Sequence, residues 1–276
     1  MEAIKFAYGA RSITLPSGVE LTYCELGEEN EEIVLSGAFY FHTFMPVLEG
    51  LAKKYHVYGI VMRFDGPGSC LEPDGGINWT RQWGQDVYEF AQALGIEHFH
   101  YVGKCHGVIP GWFMVKNHPE MLDSFCSFYL LPHLLPRNDD QWTEIPKKEG
   151  PMGLIAKTLR KQESIPIKLQ ELQTLGPAGM NTEVPNVYGP YPEKIWDSTE
   201  ECRETMETTE VPICLMFGTD DILFHDFYDC NLLAMQLVKR SRTVILQGER
   251  HLMEIDCADR VVNEAVFFIE DSKNKY

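Results

Sequence analysis

The chain has no run of about 18 consecutive apolar residues, the length a helix needs to cross a bilayer, so no membrane span is expected. Its first residues, Met1-Glu2-Ala3-Ile4-Lys5, lack a basic stretch followed by an apolar one, and no secretory signal is expected. Cations are scarce: Lys and Arg number 24 against 41 Asp and Glu, a formal net charge of −17. Such an acidic surface repels phosphate backbones, which argues against nucleic acid as a partner. No C-x-x-C pair occurs among the 8 cysteines, at 24, 70, 105, 126, 202, 214, 230 and 257, and none clusters with histidine. Most are expected to be buried free thiols in a reducing cytoplasm. The 9 histidines are dispersed, with no i, i+4 pair beside a carboxylate, so no metal is expected. Gly66-Pro67-Gly68 lacks the third glycine and the helix start of a dinucleotide site, and no cofactor is expected.

What is present suits one domain with an insertion. The 276 residues are 44 % apolar, enough for a substantial core. The start reads as a hairpin, 12–15 and 19–24 around the turn Pro16-Ser17-Gly18. Apolar strands are expected at 33–35, 57–62, 98–102 and 124–131, alternating with helices at 46–55, 79–94 and 108–117. That rhythm argues for a mostly parallel sheet with helices on both faces. It breaks at 134–210, where no convincing strand appears and helical stretches at 154–162, 167–175 and 193–205 are punctuated by proline. This stretch reads as an inserted helical cap, leaving 1–133 and 211–276 as the core domain. Alternation then resumes with strands at 212–217 and 243–246 and helices at 227–239 and 259–270.

Gly103-Lys104-Cys105-His106-Gly107 lies between an apolar strand and a helix. This is the Gly-x-nucleophile-x-Gly elbow, with Cys where Ser is usual. The sharp turn strains the nucleophile's backbone, and the flanking glycines let strand and helix approach. A buried cysteine in a glycine-flanked turn is the plain alternative. Gly218-Thr219-Asp220-Asp221 follows the first strand after the insertion, and His251 follows the next one. Nucleophile, acid and histidine thus occur in the order this turn calls for, each beyond the carboxyl end of a strand. Asp220 and Asp221 compete for the role of acid, with Asp226 a distant third. Lys104 is expected to point away from the nucleophile, serving structure or facing solvent.

With these residues the chain resembles the α/β-hydrolase superfamily, of the capped esterase and lactonase type, over nearly its whole length apart from the cap. Ser36-Gly37-Ala38 stands where the family has its His-Gly-x oxyanion segment. Asp65-Gly66-Pro67-Gly68-Ser69 resembles the family's Gly-x-Gly-x-Ser turn, and His118-Pro119-Glu120 its His-Pro-Glu helix ending. The departures are Cys105 for Ser, Ser36 for His, Val108 for a small residue, and the bulky His106 directly after the nucleophile. A cysteine here is similar to dienelactone hydrolases, polyhydroxyalkanoate synthases and a few thioesterases.

The resemblance implies a Cys105–His251–Asp221 triad and an oxyanion hole from the backbone N–H groups of Ala38 and His106. A thiol at a helix N-terminus beside an imidazole is held readily as thiolate. The expected activity is acyl transfer by a hydrolase, thioesterase, lactonase or acyltransferase, acting on a small or medium acyl ester or thioester. The alternatives are a non-hydrolytic member, serving a lyase- or cyclase-type step or ligand binding, and a carbon–carbon bond hydrolase. Phe39, Tyr40, Trp142 and Trp196 are candidate pocket walls, although core packing explains such residues equally well. His106 reads either as a packed histidine or as a second acid beside the thiolate. Lys147, Lys148, Lys157, Arg160 and Lys161 make the cap locally basic, as a solvated face or a landing patch for a CoA- or carrier-linked substrate. The cap's aromatic and methionine content suits a partner surface, a homodimer included, as well as a pocket.

Overall fold

Successive side chains of a β-strand point to opposite faces of its sheet, and in this chain both sets are apolar through the centre. The computed structural model describes residues 11–38, 41–62, 79–128, 148–149, 156–161, 195–222 and 228–275. Eight strands form one sheet: β1 (Arg11–Thr14), β2 (Glu20–Leu26), β3 (Ile33–Ala38), β4 (His56–Val61), β5 (Phe99–Lys104), β6 (Leu122–Phe128), β7 (Ile213–Gly218) and β8 (Ser241–Leu246). Their spatial order is β1-β2-β4-β3-β5-β6-β7-β8. The β1–β2 and β2–β4 pairs are antiparallel; all pairs from β4–β3 to β7–β8 are parallel.

Helices cover both faces. Tyr101 and Cys105, with Leu215 and Phe217, pack toward α2 (Trp79–Leu94) and α3 (Val108–Asn117), supplying Trp83, Phe90 and Trp112. Val102, Cys126, Cys214 and Met216 point the other way. They meet α1 (Phe41–Leu51), α6 (Met253–Asp256) and α7 (Ala258–Lys275), supplying Leu48, Met253 and Phe268. All six residues of β5 and of β7 are buried, which explains the unbroken apolar run of β7. α4 (Thr199–Thr208) precedes β7, and α5 (Tyr228–Leu237) lies between β7 and β8. Ser198 caps α4 by accepting from the N–H of Glu201 at 3.1 Å.

The helices expected at 79–94 and 108–117 have those bounds. α1 differs, running from Phe41 with Pro46 inside it rather than starting at the proline. Phe44 and Met45 are buried in the core, so packing holds the turn that proline leaves one hydrogen bond short. α4 starts at Thr199, not 193, because Ser198 ends the preceding loop. Between β6 and β7, no strand occurs among the described residues. The helix expected at 167–175 lies outside them, and of 154–162 only 156–158 are described as helical. Cys24, Cys126, Cys202 and Cys214 are buried free thiols, as expected; Cys257 is half-buried. No described helix is long and apolar enough to cross a membrane.

Candidate active site

The elbow is built from close backbone approach. β5 runs straight into a turn at Cys105–Gly107 and then into α3. Cys105 has φ 50°, the one non-glycine with positive φ among the described residues. An L-residue pays roughly 1–3 kcal/mol for such a conformation, which persists only where its surroundings impose it. Here glycines impose it. A Cβ on Gly103 would lie 2.3 Å from the carbonyl oxygen of Gly107, and a Cβ on Gly107 would lie 2.3 Å from that of Gly37. The second contact presses the end of β3 against the elbow. No side chain caps the first turn of α3, and the positive end of that helix follows the elbow directly.

The other two residues come from neighbouring loops locked together. A Cβ on Gly218, at the end of β7, would sit 2.3 Å from the carbonyl oxygen of Glu249 in the loop after β8. The N–H of Thr219 donates to Leu246 O at 3.1 Å, and that of Asp220 to Glu249 O at 2.9 Å. Within this pair of loops Nδ1 of His251 lies 3.1 Å from Oδ2 of Asp221, both residues 1 % exposed. Cys105 lies near enough to His251 to favour its charged form. Asp220 is exposed, its Oδ1 accepting from the Thr219 hydroxyl at 3.0 Å. Asp221, rather than Asp220, is therefore the carboxylate that reaches His251; Asp226 lies outside the described residues. Burial disfavours the imidazolium, but Asp221 and then Cys105 outweigh it, and the His251 pKa is raised to about 9.

Ala38 ends β3, its backbone paired in register with Val61 of β4. The preceding N–H, of Gly37, donates to the Tyr101 hydroxyl at 3.1 Å, which itself donates to Gly107 O at 2.7 Å. The His106 backbone lies in the elbow turn; its side chain, like Phe39, Tyr40 and Trp142, lies outside the described residues. So does the Asp65–Ser69 turn. Trp196 is described and is buried in the same apolar cluster as Cys105. Lys116 of α3 holds that segment, with Nζ donating to Ile195 O at 2.9 Å and lying 5.8 Å from the Trp196 ring centroid. His118 ends α3 and stacks on Tyr88, ring centroids 3.8 Å apart.

Three features escaped the sequence reading. Tyr101 was only an apolar strand residue there, yet it ties β3 to the elbow. Lys104 is not solvated: it is buried and ion-paired with Glu254, itself buried. The third is a clamp between residues 156–161 and the His251 loop. Asp256 accepts from the N–H groups of Arg160 and Lys161 at 2.6 and 2.8 Å. Arg160 Nε lies 2.8 Å from Glu249, and Arg250 donates to Ala156 O and Leu159 O at 2.9 and 3.0 Å. Of the basic group, Lys157 is engaged by Glu149 at 2.7 Å and Arg160 by Glu249.

No protein-family profile and no curated protein sequence matches the chain. Solved structures do. The chain is similar to a serine hydrolase from Cycloclasticus zankles, with 16 % identity and a TM-score of 0.74 over 95 % of this chain and 97 % of that one. It is similar to a meta-cleavage product hydrolase from Pseudomonas fluorescens IP01, with 17 % identity and a TM-score of 0.73 over 95 % and 98 %. Naproxen esterase from Bacillus subtilis matches at 18 % identity and a TM-score of 0.73 over 94 % and 90 %. With the sheet order above, these likenesses establish the α/β-hydrolase fold.

Proposed function

We propose that this protein is an acyl-transfer enzyme of the hydrolase class, with Cys105 as nucleophile, His251 as base and acid, and Asp221 as the orienting carboxylate. One observation carries the reading: Cys105, with φ 50°, lies within the field of a buried His251 whose Nδ1 is 3.1 Å from Asp221. In this reading Cys105 Sγ attacks the acyl carbon and its proton resides on His251. The backbone N–H groups of His106 and Ala38 receive the oxyanion; such a donor is typically worth about 3–4 kcal/mol of barrier. Collapse of the tetrahedral adduct passes the proton to the leaving alcohol or thiol. The Cys105 thioester that remains yields its acyl group to water or to another nucleophile. Asp221 keeps the imidazole in the tautomer that both steps require.

A thioester, rather than the ester that serine gives, favours thioester cleavage, lactone opening or transfer to an amine or thiol. The substrate expected is a small or medium acyl ester or thioester, CoA- or carrier-linked forms included, admitted beneath residues 134–210 as a cap. Similar structures are named for ester and for meta-cleavage product hydrolysis, so carbon–carbon cleavage of a ketone is the competing use of the same nucleophile.

Intact-mass spectrometry with a panel of activated esters, lactones, acyl thioesters and cleavable diketones tests the proposal. An acyl-sized gain that needs Cys105, is lost in Cys105→Ala and persists longer in His251→Ala is the expected result. Two carbon fragments with no alcohol, thiol or amine released would move the assignment to carbon–carbon hydrolysis. Neither adduct nor turnover from folded protein would sink the acyl-enzyme reading.

A further inference from the structure

The residue before the nucleophile is a lysine, and it is almost wholly out of water. Lys104 is 6 % exposed and its partner Glu254 is 1 % exposed. Strand alternation turns Lys104 away from the face of Cys105, toward that of α1, α6 and α7. There its Nζ donates to Oε1 of Glu254 in α6. Glu254 follows His251 by three residues and feels the field of that imidazole directly. One ion pair thus joins the covalent neighbour of Cys105 to the loop of His251, across 150 residues of chain.

A buried ion pair adds little net stability compared with well-packed apolar side chains of the same volume, whereas losing one partner leaves a buried charge unpaired. Stability alone therefore does not account for charges at this spot, but position and field do. We propose that Lys104 and Glu254 are positioning residues: the pair fixes the elbow against the His251 loop, and its two charges cancel beside the Cys105–His251 couple, leaving Asp221 to set the charge of that couple. The inference rests on the assignment of Cys105 and His251 as nucleophile and base.

The charges around His251 support the cancellation. Asp221 faces it from the β7 loop and Cys105 from the elbow. Glu254 adds a second carboxylate from α6 and Lys104 offsets it from β5. One layer farther out, Glu249 meets Arg160 and Arg260, and Asp256 meets the N–H groups of Arg160 and Lys161. On α1, which packs on α6, Glu49 is exposed. Burial raises the Glu254 pKa, while Lys104 and then His251 pull it down.

The test follows the Cε1–H resonance of His251, assigned with His251→Ala, through its titration by NMR. Wild type is compared with Glu254→Gln, Lys104→Met and the double variant Lys104→Met/Glu254→Met. Glu254→Gln removes a carboxylate from beside His251 and lowers the midpoint by about one pH unit; Lys104→Met removes a cation and raises it by about as much. The double variant stays within about 0.3 pH unit of wild type, because cancelling charges leave no field when both go. A pair that merely fills space would change melting temperature and leave every midpoint in place. Single variants with unmoved midpoints, or midpoints moved in one direction, overturn the proposal. If one single variant does not fold, the other single variant decides together with the double: an unmoved midpoint in the single, or a displaced one in the double, overturns it. The acyl panel is run on the same proteins: opposite shifts without adducts would sink the acyl-enzyme reading alone, and adducts without shifts would sink the clamp alone.

Discussion

Two anchors hold the end of β5, one on each face of the sheet, and they differ in kind. On the face of α2 and α3 the anchor is neutral. The Tyr101 hydroxyl accepts from Gly37 and donates to Gly107 O, at 3.1 and 2.7 Å. Its ring fills a notch left by two glycines: a Cβ on Gly37 would lie 2.6 Å from the hydroxyl, and one on Gly111 2.7 Å from Cδ1. On the face of α1 and α6 the anchor is the buried Lys104–Glu254 pair. A neutral hydrogen bond fixes distance and adds little field. A charged pair fixes distance as well, and it spares the site a net charge only while both partners remain. The geometry of the elbow and the electrostatics of His251 are therefore held by separate parts, and each can be broken without the other.

Breaking the elbow against β3 has the largest expected effect, and Gly107→Ala does it. The new Cβ would meet Gly37 O at 2.3 Å, a backbone atom that cannot rotate aside. Overpacking of this kind typically costs roughly 1–3 kcal/mol; with backbone on both sides the upper end applies. At about 2–4 °C per kcal/mol for a chain of this size class, the melting temperature should fall by roughly 6–12 °C. Thermal unfolding followed by circular dichroism checks this, and wild-type stability would mean that β3 is not pressed on the elbow.

Tyr101→Phe removes the neutral anchor alone. The ring stays, but a buried N–H and a buried C=O lose their partner, at about 1–3 kcal/mol each when left unmet. With each group at the lower end of that range, the expected loss is about 2 kcal/mol in denaturant unfolding. Because Ala38 follows Gly37 directly, the rate of acyl-adduct formation should also fall, about tenfold, with little change in substrate affinity. The His251 titration midpoint should stay where it is. A midpoint that moved would show that the two anchors are not separable.

The sequence carried one of these anchors poorly and the other not at all. The elbow was legible because its chemistry is local: glycines at 103 and 107 permit the backbone approach that Cys105 needs, and both lie within five residues. Asp221 was preferred to Asp220 on the spacing from Gly218 that the resemblance implies, and it is the one of the two that reaches His251. Tyr101 read as one more apolar strand residue, since its partners lie on another strand and in the elbow. Lys104 was left between structure and solvent because the carboxylate that pairs with it is far away in the chain. The start of α1 was misread for a related reason, as local proline chemistry was overridden by core packing at Phe44 and Met45. At α4 the signal was present, Ser198-Thr199-Glu200-Glu201 being a serine cap with a glutamate three residues on. Local rules thus placed the strands and the elbow, while the anchors are tertiary.

Changing pH acts on the charged half of the site and leaves the Tyr101 side untouched, which makes it the mildest way to separate them. The His251 pKa is about 9 in the folded protein, against an ordinary 6.5. A raised value means that the folded protein holds this proton more tightly than the unfolded chain does. The resulting stability is fully present below pH 6.5 and is lost as pH rises to about 9. His100 and His118, with lowered values, change stability below that window. Glu270, lowered to about 2, acts between there and 4.5 and in the opposite sense, losing its contribution as pH falls. Wild type should therefore melt at a lower temperature at pH 9 than at pH 6.5, and His251→Gln should lose that part of the difference. Tyr101→Phe should melt lower at both values and keep the difference intact. Equal slopes in wild type and His251→Gln would place the proton elsewhere, and would leave the neutral anchor as the one part of the comparison still standing.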